Sequence, residues 1–245
     1  MSGGRPPRDV SGLRRRVASV RLRGGDGPQV ARARRLLDLY LAEAERHGVP
    51  FPEIARQVRA GLPALRIAGA ELQGQADAPA FSEAACAPGC AFCCILAGED
   101  GGVILEAEAR QLHAALAPLA GAPDGRAWSD RACPALDPAT RTCRVYEARP
   151  MICRTYVSPD ADACADVARG LPARGPGVVG AQGTLLAVQS LGRAALEGAA
   201  QVPTYALARI AAAAVEGVAL DAALGSARHR PRVLEDERTR LAPAD

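Results

Sequence analysis

The sequence has no lysine and no asparagine, so arginine supplies all 30 of its lysine-or-arginine positions. Together with much alanine and glycine, this composition indicates the codon bias of a GC-rich genome, and arginine content alone is weak evidence for nucleic-acid binding. Aromatic residues make up only 3% of the chain. Because strands favour aromatic and β-branched residues, this scarcity argues against a large sheet.

The chain also lacks an uninterrupted apolar run of the roughly 18 residues that a transmembrane helix needs. The longest candidates, around residues 178 to 224, are broken by glutamine, arginine and glutamate. No apolar segment follows the arginines near the N-terminus, so no secretory signal is recognised. These absences predict a cytoplasmic protein without a membrane segment, in a compartment that keeps thiols reduced.

All the cysteines fall between residues 86 and 164. They are Cys86, Cys90, Cys93, Cys94, Cys133, Cys143, Cys153 and Cys164. A chain of 245 residues can build a core without crosslinks, and disulfides are rare among cytoplasmic proteins. We therefore expect all eight to be metal ligands, in preference to four disulfides, for which 105 pairings would be possible.

The first four cysteines form the pattern C-x3-C-x2-C-C, and Pro88-Gly89 predicts a turn between the first two. Thiolate is a soft ligand that suits zinc and iron–sulfur clusters. Cys93 and Cys94 are adjacent, and neighbouring side chains diverge in strands and helices. The two thiols therefore serve different metals, or one of them faces the core. Eight thiols match two four-thiolate sites, or one cluster with four further cysteines.

The segment from Cys143 to Tyr156 carries polar groups that could support a thiolate centre. Four of them are predicted to balance thiolate charge or to donate hydrogen bonds: Arg149, Arg154, Tyr146 and Tyr156. Glu147 could pair with an arginine or act as a base. His113 is the one candidate histidine ligand, since the other two histidines lie outside the cysteine-rich window.

Apolar spacing predicts a mainly α-helical fold, in which a helical scaffold surrounds an irregular cysteine-rich metal-binding core with few or no strands. Six consecutive segments are expected. They are a mobile arginine-rich arm (1–28), N-terminal helices with a lead-in (29–85), the cysteine-cluster metal-binding domain (86–164), a linker (165–180), a C-terminal helical pair (181–226) and a charged tail (227–245).

The N-terminal region, which includes the arm, is rich in arginine, with ten arginines in the first 36 residues. Such an arm can bind phosphate by releasing counterions. No aromatic residues are interleaved with it for base stacking. We therefore expect a solvated terminal segment and no nucleic-acid partner.

The spacing Cys86-x3-Cys90-x2-Cys93 also matches that of radical-SAM enzymes. In those enzymes the motif opens a barrel of alternating strands and helices. Here about 85 mostly helical residues precede it, and no strand–helix alternation follows. The sequence therefore favours a helical metal protein over a radical-SAM barrel.

Three motifs in this order resemble the bacterial CxxCxxCC, or YkgJ-type, family of zinc- or iron-chelating domains. They are C-x3-C-x2-C-C, Cys133-Pro-Ala-Leu, and Cys143-Arg-Val-Tyr-Glu-Ala-Arg-Pro-Met-Ile-Cys153-Arg. The resemblance covers residues 83–164, with a first gap of three residues instead of two. It implies bound zinc or iron, or an iron–sulfur cluster, at the matching cysteines. Some relatives look like flagellin lysine methylases, but no residue outside the cysteine cluster supports assigning that activity to this chain.

The sequence thus predicts a metal-binding protein that holds an iron–sulfur cluster, iron or zinc through clustered cysteines. Redox chemistry and protein modification are the candidate activities, and an unidentified protein is the expected partner or substrate. Two alternatives stay open. One is a zinc-stapled adaptor that binds a partner through its helices, and the other is a protein that stores or delivers metal.

Overall fold

The computed structural model describes residues 5–75, 77–96, 100–173 and 177–242. These residues are mainly α-helical, which confirms the predicted fold class. Their helices are α1 (Val10–Ser19), α2 (Pro28–Arg46), α3 (Phe51–Ala60), α4 (Leu62–Gly74), α5 (Pro79–Ser82), α6 (Glu106–Leu116), α7 (Met151–Thr155), α8 (Ala161–Ala168), α9 (Gly180–Ala195), α10 (Leu207–Val215), α11 (Leu220–Ser226) and α12 (Pro231–Arg240). Their strands are β1 (Val103–Leu105), β2 (Tyr156–Val157), β3 (Gly177–Val178) and β4 (Thr204–Ala206).

Five predicted segments include residues outside these ranges. They are 1–4 of the arm, 76 of the lead-in, 97–99 of the cysteine-cluster domain, 174–176 of the linker and 243–245 of the tail. Across the part of the chain that the structure describes, no helix combines the length and the apolar character needed to cross a membrane.

The chain divides into two compact units, and each is assembled from separate stretches. The first contains Met1–Gln73, Gly180–Pro203 and Arg230–Asp245, and the second contains Gly74–Val179 and Thr204–His229. All eight cysteines belong to the second unit. That unit is wider than the cysteine-cluster domain predicted from the sequence.

Helix α9 forms the centre of the first unit. Thirteen of its 16 residues are buried, and it packs against α1, α2, α3 and α12. A helix surrounded on so many sides needs small residues where its neighbours approach. At Gly192, an added Cβ would lie 2.7 Å from Cγ1 of Val58 in α3. The alanine- and glycine-rich composition of α9 is therefore what allows its neighbours to pack around it.

Helix α1 lies where the sequence predicts a mobile arm, and this corrects the prediction for residues 10–19. Three apolar residues at helical spacing are buried: Val10, Leu13 and Val17. On the polar side, the guanidinium of Arg14 pairs with Asp38 at 2.9 Å and with Glu45 at 2.8 Å, both in α2. Although α1 is rich in arginine, its apolar stripe packs the helix against α2 and α9.

Helix α12 similarly replaces part of the charged tail predicted over 227–245. Leu234 is buried, and so is the side chain of Arg238, which donates to the backbone carbonyl of Arg23. The helix packs against α9. Most residues of α12 are charged, but one buried apolar residue, Leu234, is enough to pack the helix on its unit. A high content of charged residues therefore does not by itself predict a free tail.

Strands β1 and β4 join the two stretches of the second unit. They pair antiparallel with Ile104 opposite Tyr205, and the helices that follow them, α6 and α10, pack against each other. The helical pair predicted over 181–226 is therefore corrected in two ways. Its second helix begins as a strand and is divided into α10 and α11, and its two halves belong to different units.

We expect Gly192→Ala to destabilise the first unit. The new methyl group would overlap Val58, and overpacked cores lose about 1–3 kcal/mol of unfolding free energy. Gly69→Ala in α4 is the matched control, because an added Cβ there meets nothing within 4 Å and should stabilise by about 0.4–1 kcal/mol. Urea unfolding followed by circular dichroism measures both. Equal unfolding free energies of the two variants would contradict the close packing of α9 on α3.

Candidate metal centre

The structure places all eight cysteines among the described residues as free thiols. Cys133 and Cys164 are buried, Cys86 and Cys93 are exposed, and the other four are partly buried. The cysteines predicted to be ligands are thus gathered in one unit. Their binding of metal stays a prediction.

A tight turn joins the first two cysteines, as the sequence predicts. The N–H of Cys90 donates to the carbonyl of Ala87 across 3.0 Å. Gly89 has a φ of 82°, which suits the third position of a turn with proline at the second. Ala91 follows with a φ of 51°, a region unfavourable for a residue with a Cβ. These two left-handed residues lead the chain into a 3₁₀ helix at Phe92–Cys94.

Cys133 and Cys143 lie on the two sides of a small antiparallel turn. Leu136 pairs with Cys143 in an isolated bridge, and the carboxylate of Asp137 accepts two backbone N–H groups inside the connecting loop. For both cysteines, the backbone N–H two residues further along the chain lowers the pKa of the thiol and so opposes part of the rise caused by burial. Backbone N–H groups near sulfur favour the thiolate and tune a metal centre.

Backbone hydrogen bonds attach the first cysteine motif to this turn. The carbonyl of Cys94 accepts the N–H of Cys133 across 2.8 Å, and the N–H of Leu96 donates to the carbonyl of Arg131 across 2.8 Å. Between these bonds, Ile95 pairs antiparallel with a residue of the neighbouring segment. Cysteines about 40 residues apart in the sequence are therefore held side by side.

Glu108 is a buried carboxylate beside the thiols that the sequence did not single out. It is 5% exposed. One of its oxygens accepts the N–H of Leu105 at 2.8 Å, and the other accepts the N–H of Met151 at 2.6 Å. Met151 begins α7, which carries Cys153. Glu108 therefore fixes α7 to the start of α6. The only sequence signal is a glutamate at the third position of a helix, where it can bond the N-cap N–H.

Burial and mutual proximity change the pKa of several thiols. Burial raises the pKa of Cys133 to about 12 and also raises the pKa of Cys143 and Cys153. The interaction between the neighbouring thiols of Cys93 and Cys94 lowers the pKa of Cys93 to about 7 and raises the pKa of Cys94. Most of these thiols therefore keep their proton at neutral pH unless a cation replaces it.

Arg149 is the predicted supporting residue that acts on the thiols. Its charge helps to lower the pKa of Cys93 and opposes the burial-driven rise at Cys143. The guanidinium carbon lies 3.4 Å from the ring centroid of Tyr146, a cation–π contact. Arg154 instead donates to two backbone carbonyls of the preceding turn, so it holds the loop that precedes α7.

The remaining candidates lie in other settings. The ring Nε2 of His113 lies 2.8 Å from the carbonyl oxygen of Val218. This hydrogen bond connects α6 to the segment that follows α10. Tyr156 lies in β2, opposite Val178. Glu147 is exposed, and its action as a base stays a prediction.

The chemistry of the donor set fits a soft metal, because sulfur dominates it and backbone N–H groups support two of the sulfurs. For the residues covered by the structure, however, no three histidine, cysteine, aspartate or glutamate side chains form a group that could hold a single metal ion. The thiols are gathered in one region without converging.

A family model agrees with the resemblance seen in the sequence. Residues 85–168 match the model named CxxCxxCC, described as a putative zinc- or iron-chelating domain. This stretch of the chain is therefore similar to the CxxCxxCC family. The match covers about a third of the chain and includes all eight cysteines, which supports metal binding by this stretch. No curated protein and no solved structure matches the chain.

Glu108→Gln should weaken both the fold and metal retention. An amide N–H₂ would face one of the two backbone N–H donors, and a buried donor left without an acceptor costs about 1–3 kcal/mol. Glu216→Gln is the matched control, because Glu216 and its partner Arg126 are both exposed and such pairs contribute at most about 1 kcal/mol. Thermal unfolding and metal content per chain measure the effect. Equal behaviour of the two variants would contradict the role of Glu108 in holding α7.

Metal binding should release protons and strengthen as pH rises. Thiols whose pKa is raised by burial are neutral in the metal-free protein, and each must lose its proton to become a ligand. Competition with a chromophoric chelator between about pH 6 and 8 measures this dependence. The expected result is an apparent affinity that increases with pH. An affinity that is constant over this range would contradict ligation by the buried thiols.

Proposed function

We propose that this protein holds iron in its CxxCxxCC domain, as an iron–sulfur cluster. The observation that carries the proposal is a group of mutually interacting thiols that does not converge on one point: Cys94, Cys133, Cys143 and Cys153. Four thiolates on one zinc ion lie only about 3.8 Å apart, since each Zn–S bond is about 2.3 Å in a tetrahedral site. The ligands of a cluster bind different irons and therefore lie further apart.

The surroundings of these thiols support a cluster. Such a cluster, when bound, supplies one-electron transfer. Backbone N–H groups near Cys133 and Cys143 lower the pKa of these thiols, and N–H groups that can donate to sulfur are one of the factors that set a cluster's potential. Partial burial limits water, and the guanidinium of Arg149 offsets thiolate charge at Cys93 and Cys143.

The candidate activity is redox chemistry or the modification of a protein. Both require the centre to approach the surface. Cys93 is exposed, and Tyr146, which carries Arg149 on its ring, is 58% exposed. A protein partner or substrate would approach here. We propose no nucleic-acid partner, since arginines of α1 such as Arg14 and Arg16 bond within their own unit.

The alternative is a zinc-stapled adaptor, and the loop content of the domain favours it. From Gly125 to Pro150 the chain contains 3₁₀ turns and isolated bridges in place of α-helices or strands. Segments of this kind gain stability from a bound ion, and zinc domains unfold when a chelator removes it.

Anaerobic purification tests the proposal, followed by measurement of iron, zinc and acid-labile sulfide per chain and by an absorption spectrum. The expected result is a brown protein with iron and sulfide in similar amounts. Colourless protein with stoichiometric zinc would overturn the iron–sulfur proposal in favour of the adaptor. Protein that retains neither metal after anaerobic reconstitution would overturn both.

A further inference from the structure

A cleft lined by arginines opens on the surface of the first unit, where the chain enters α1. Its volume is about 330 Å³, and four arginines contribute to its lining: Arg5, Arg8, Arg15 and Arg16. All four belong to the first unit, whereas the cysteines belong to the second. The cleft is therefore a candidate binding site in its own right, outside the metal centre.

The segment that carries Arg5 and Arg8 is packed against its unit. Pro7 is buried, and Pro6 lies beside the loop that follows α9, 3.5 Å from the position that a Cβ of Gly198 would take. The two prolines also restrict the backbone, because each fixes φ at roughly −65°. The two arginines therefore project from a fixed backbone, and less conformational entropy is lost when they bind a ligand.

Arg15 and Arg16 project from α1, and hydrogen bonds position both guanidinium groups. Nη1 of Arg15 donates to the hydroxyl of Ser11 at 2.6 Å, and Nη1 of Arg16 donates to the carbonyl of Glu197 at 2.8 Å. Both acceptors are uncharged, so each guanidinium keeps its full positive charge. Because a guanidinium has five N–H groups, Arg15 can hold Ser11 and bind a ligand together.

The cleft carries an excess of positive charge. Its one carboxylate, that of Asp9, accepts the N–H of Gly12 at 2.6 Å as the N-cap of α1. In the part of the chain that the structure describes, no carboxylate forms an ion pair with the four arginines. Arg14 of the same helix, by contrast, pairs with Asp38 and Glu45. Four arginines and one aspartate leave three positive charges in the cleft uncompensated.

We infer that this cleft binds a compact anion that carries adjacent phosphate groups, of which pyrophosphate is the simplest example. Guanidinium groups match the geometry of phosphate oxygens and bind them through paired hydrogen bonds. Three uncompensated charges favour a polyvalent anion over a single carboxylate, and the volume of the cleft is at the small end of the range for ligand sites. Among the described residues, no aromatic side chain lines the cleft, so it offers no surface on which a nucleobase could stack.

Two double variants of the full chain test the inference by calorimetric titration with pyrophosphate. Arg5→Gln/Arg8→Gln removes two charges from the cleft and should weaken binding roughly tenfold, because charge-assisted hydrogen bonds are lost. Arg35→Gln/Arg232→Gln is the matched control, since both residues are exposed, belong to the same unit and lie outside the cleft. It should bind nearly as well as the wild type. Both variants keep every cysteine, so pyrophosphate held by a bound metal would contribute equally to both.

Three outcomes would overturn the inference. The first is a wild-type protein that binds no pyrophosphate at low ionic strength. The second is an equal loss of binding in the two variants, which would indicate attraction by overall charge alone. The third is tighter binding of a single-stranded oligonucleotide than of pyrophosphate, weakened by the cleft variant, which would make nucleic acid the ligand. None of these outcomes bears on the metal content, so the proposed function is tested separately.

Chemical modification of the wild-type protein gives a second test that does not depend on the folding of a variant. Phenylglyoxal modifies accessible guanidinium groups, and mass spectrometry locates the modified arginines over time. Arg8 and Arg15 are exposed, and pyrophosphate should slow their modification, whereas Arg35 should react at the same rate with and without pyrophosphate. An equal effect of pyrophosphate on all three arginines, or no effect on any of them, would overturn the assignment of the ligand to this cleft.

Discussion

The burial of thiols beside one another is the constraint on which the second unit depends. Burial favours the neutral form of each thiol and so raises its pKa. A neighbouring thiolate raises the pKa further, because two negative charges repel each other. Burial is the largest of the causes that raise the pKa of Cys133 to about 12. A group of thiolates can therefore exist there only if a cation neutralises it. Metal binding and the stability of this unit should for that reason be linked, as they are in other proteins with buried thiolate sites.

Short structural pieces bring the thiols together, and each is fixed to a more regular element. The turn at Cys90 leads into a 3₁₀ helix that packs on α8, and the turn carrying Cys133 and Cys143 bonds to the backbone at Cys94. Glu108 holds α7 through two backbone N–H groups. Irregular backbone allows thiols distant in sequence to approach, while the helices limit how far they can move.

Local patterns predicted the parts of the molecule that depend on local interactions. The stripe of Val30, Ala33, Leu37 and Leu41 gave α2, where all four residues are buried. The Pro88-Gly89 pair gave the turn at the first motif. Helix α4 falls within the N-terminal helices and lead-in expected over 29–85, and it contains Gly69 and ends at Gly74. A glycine in a helix costs only about 1 kcal/mol relative to alanine, which the packing of the rest of the helix can offset.

The parts that the sequence did not predict depend on contacts between distant residues. Pairing of β1 with β4 joins segments about 100 residues apart, and strands of three residues carry too little pattern to be recognised. Glu108 resembles any first-turn glutamate until its partner Met151 is placed beside it. Helix α1 is short and rich in arginine, so its apolar stripe is visible only once α2 and α9 cover it.

X-ray absorption at the metal edge of the loaded protein tests the central claim most directly, because it counts and identifies the atoms bound to the metal. The account predicts a first shell made of sulfur alone, about four atoms at roughly 2.3 Å, with an additional iron–iron distance where a cluster is present. A first shell of nitrogen or oxygen atoms at about 2.0–2.2 Å would contradict ligation by the clustered thiols.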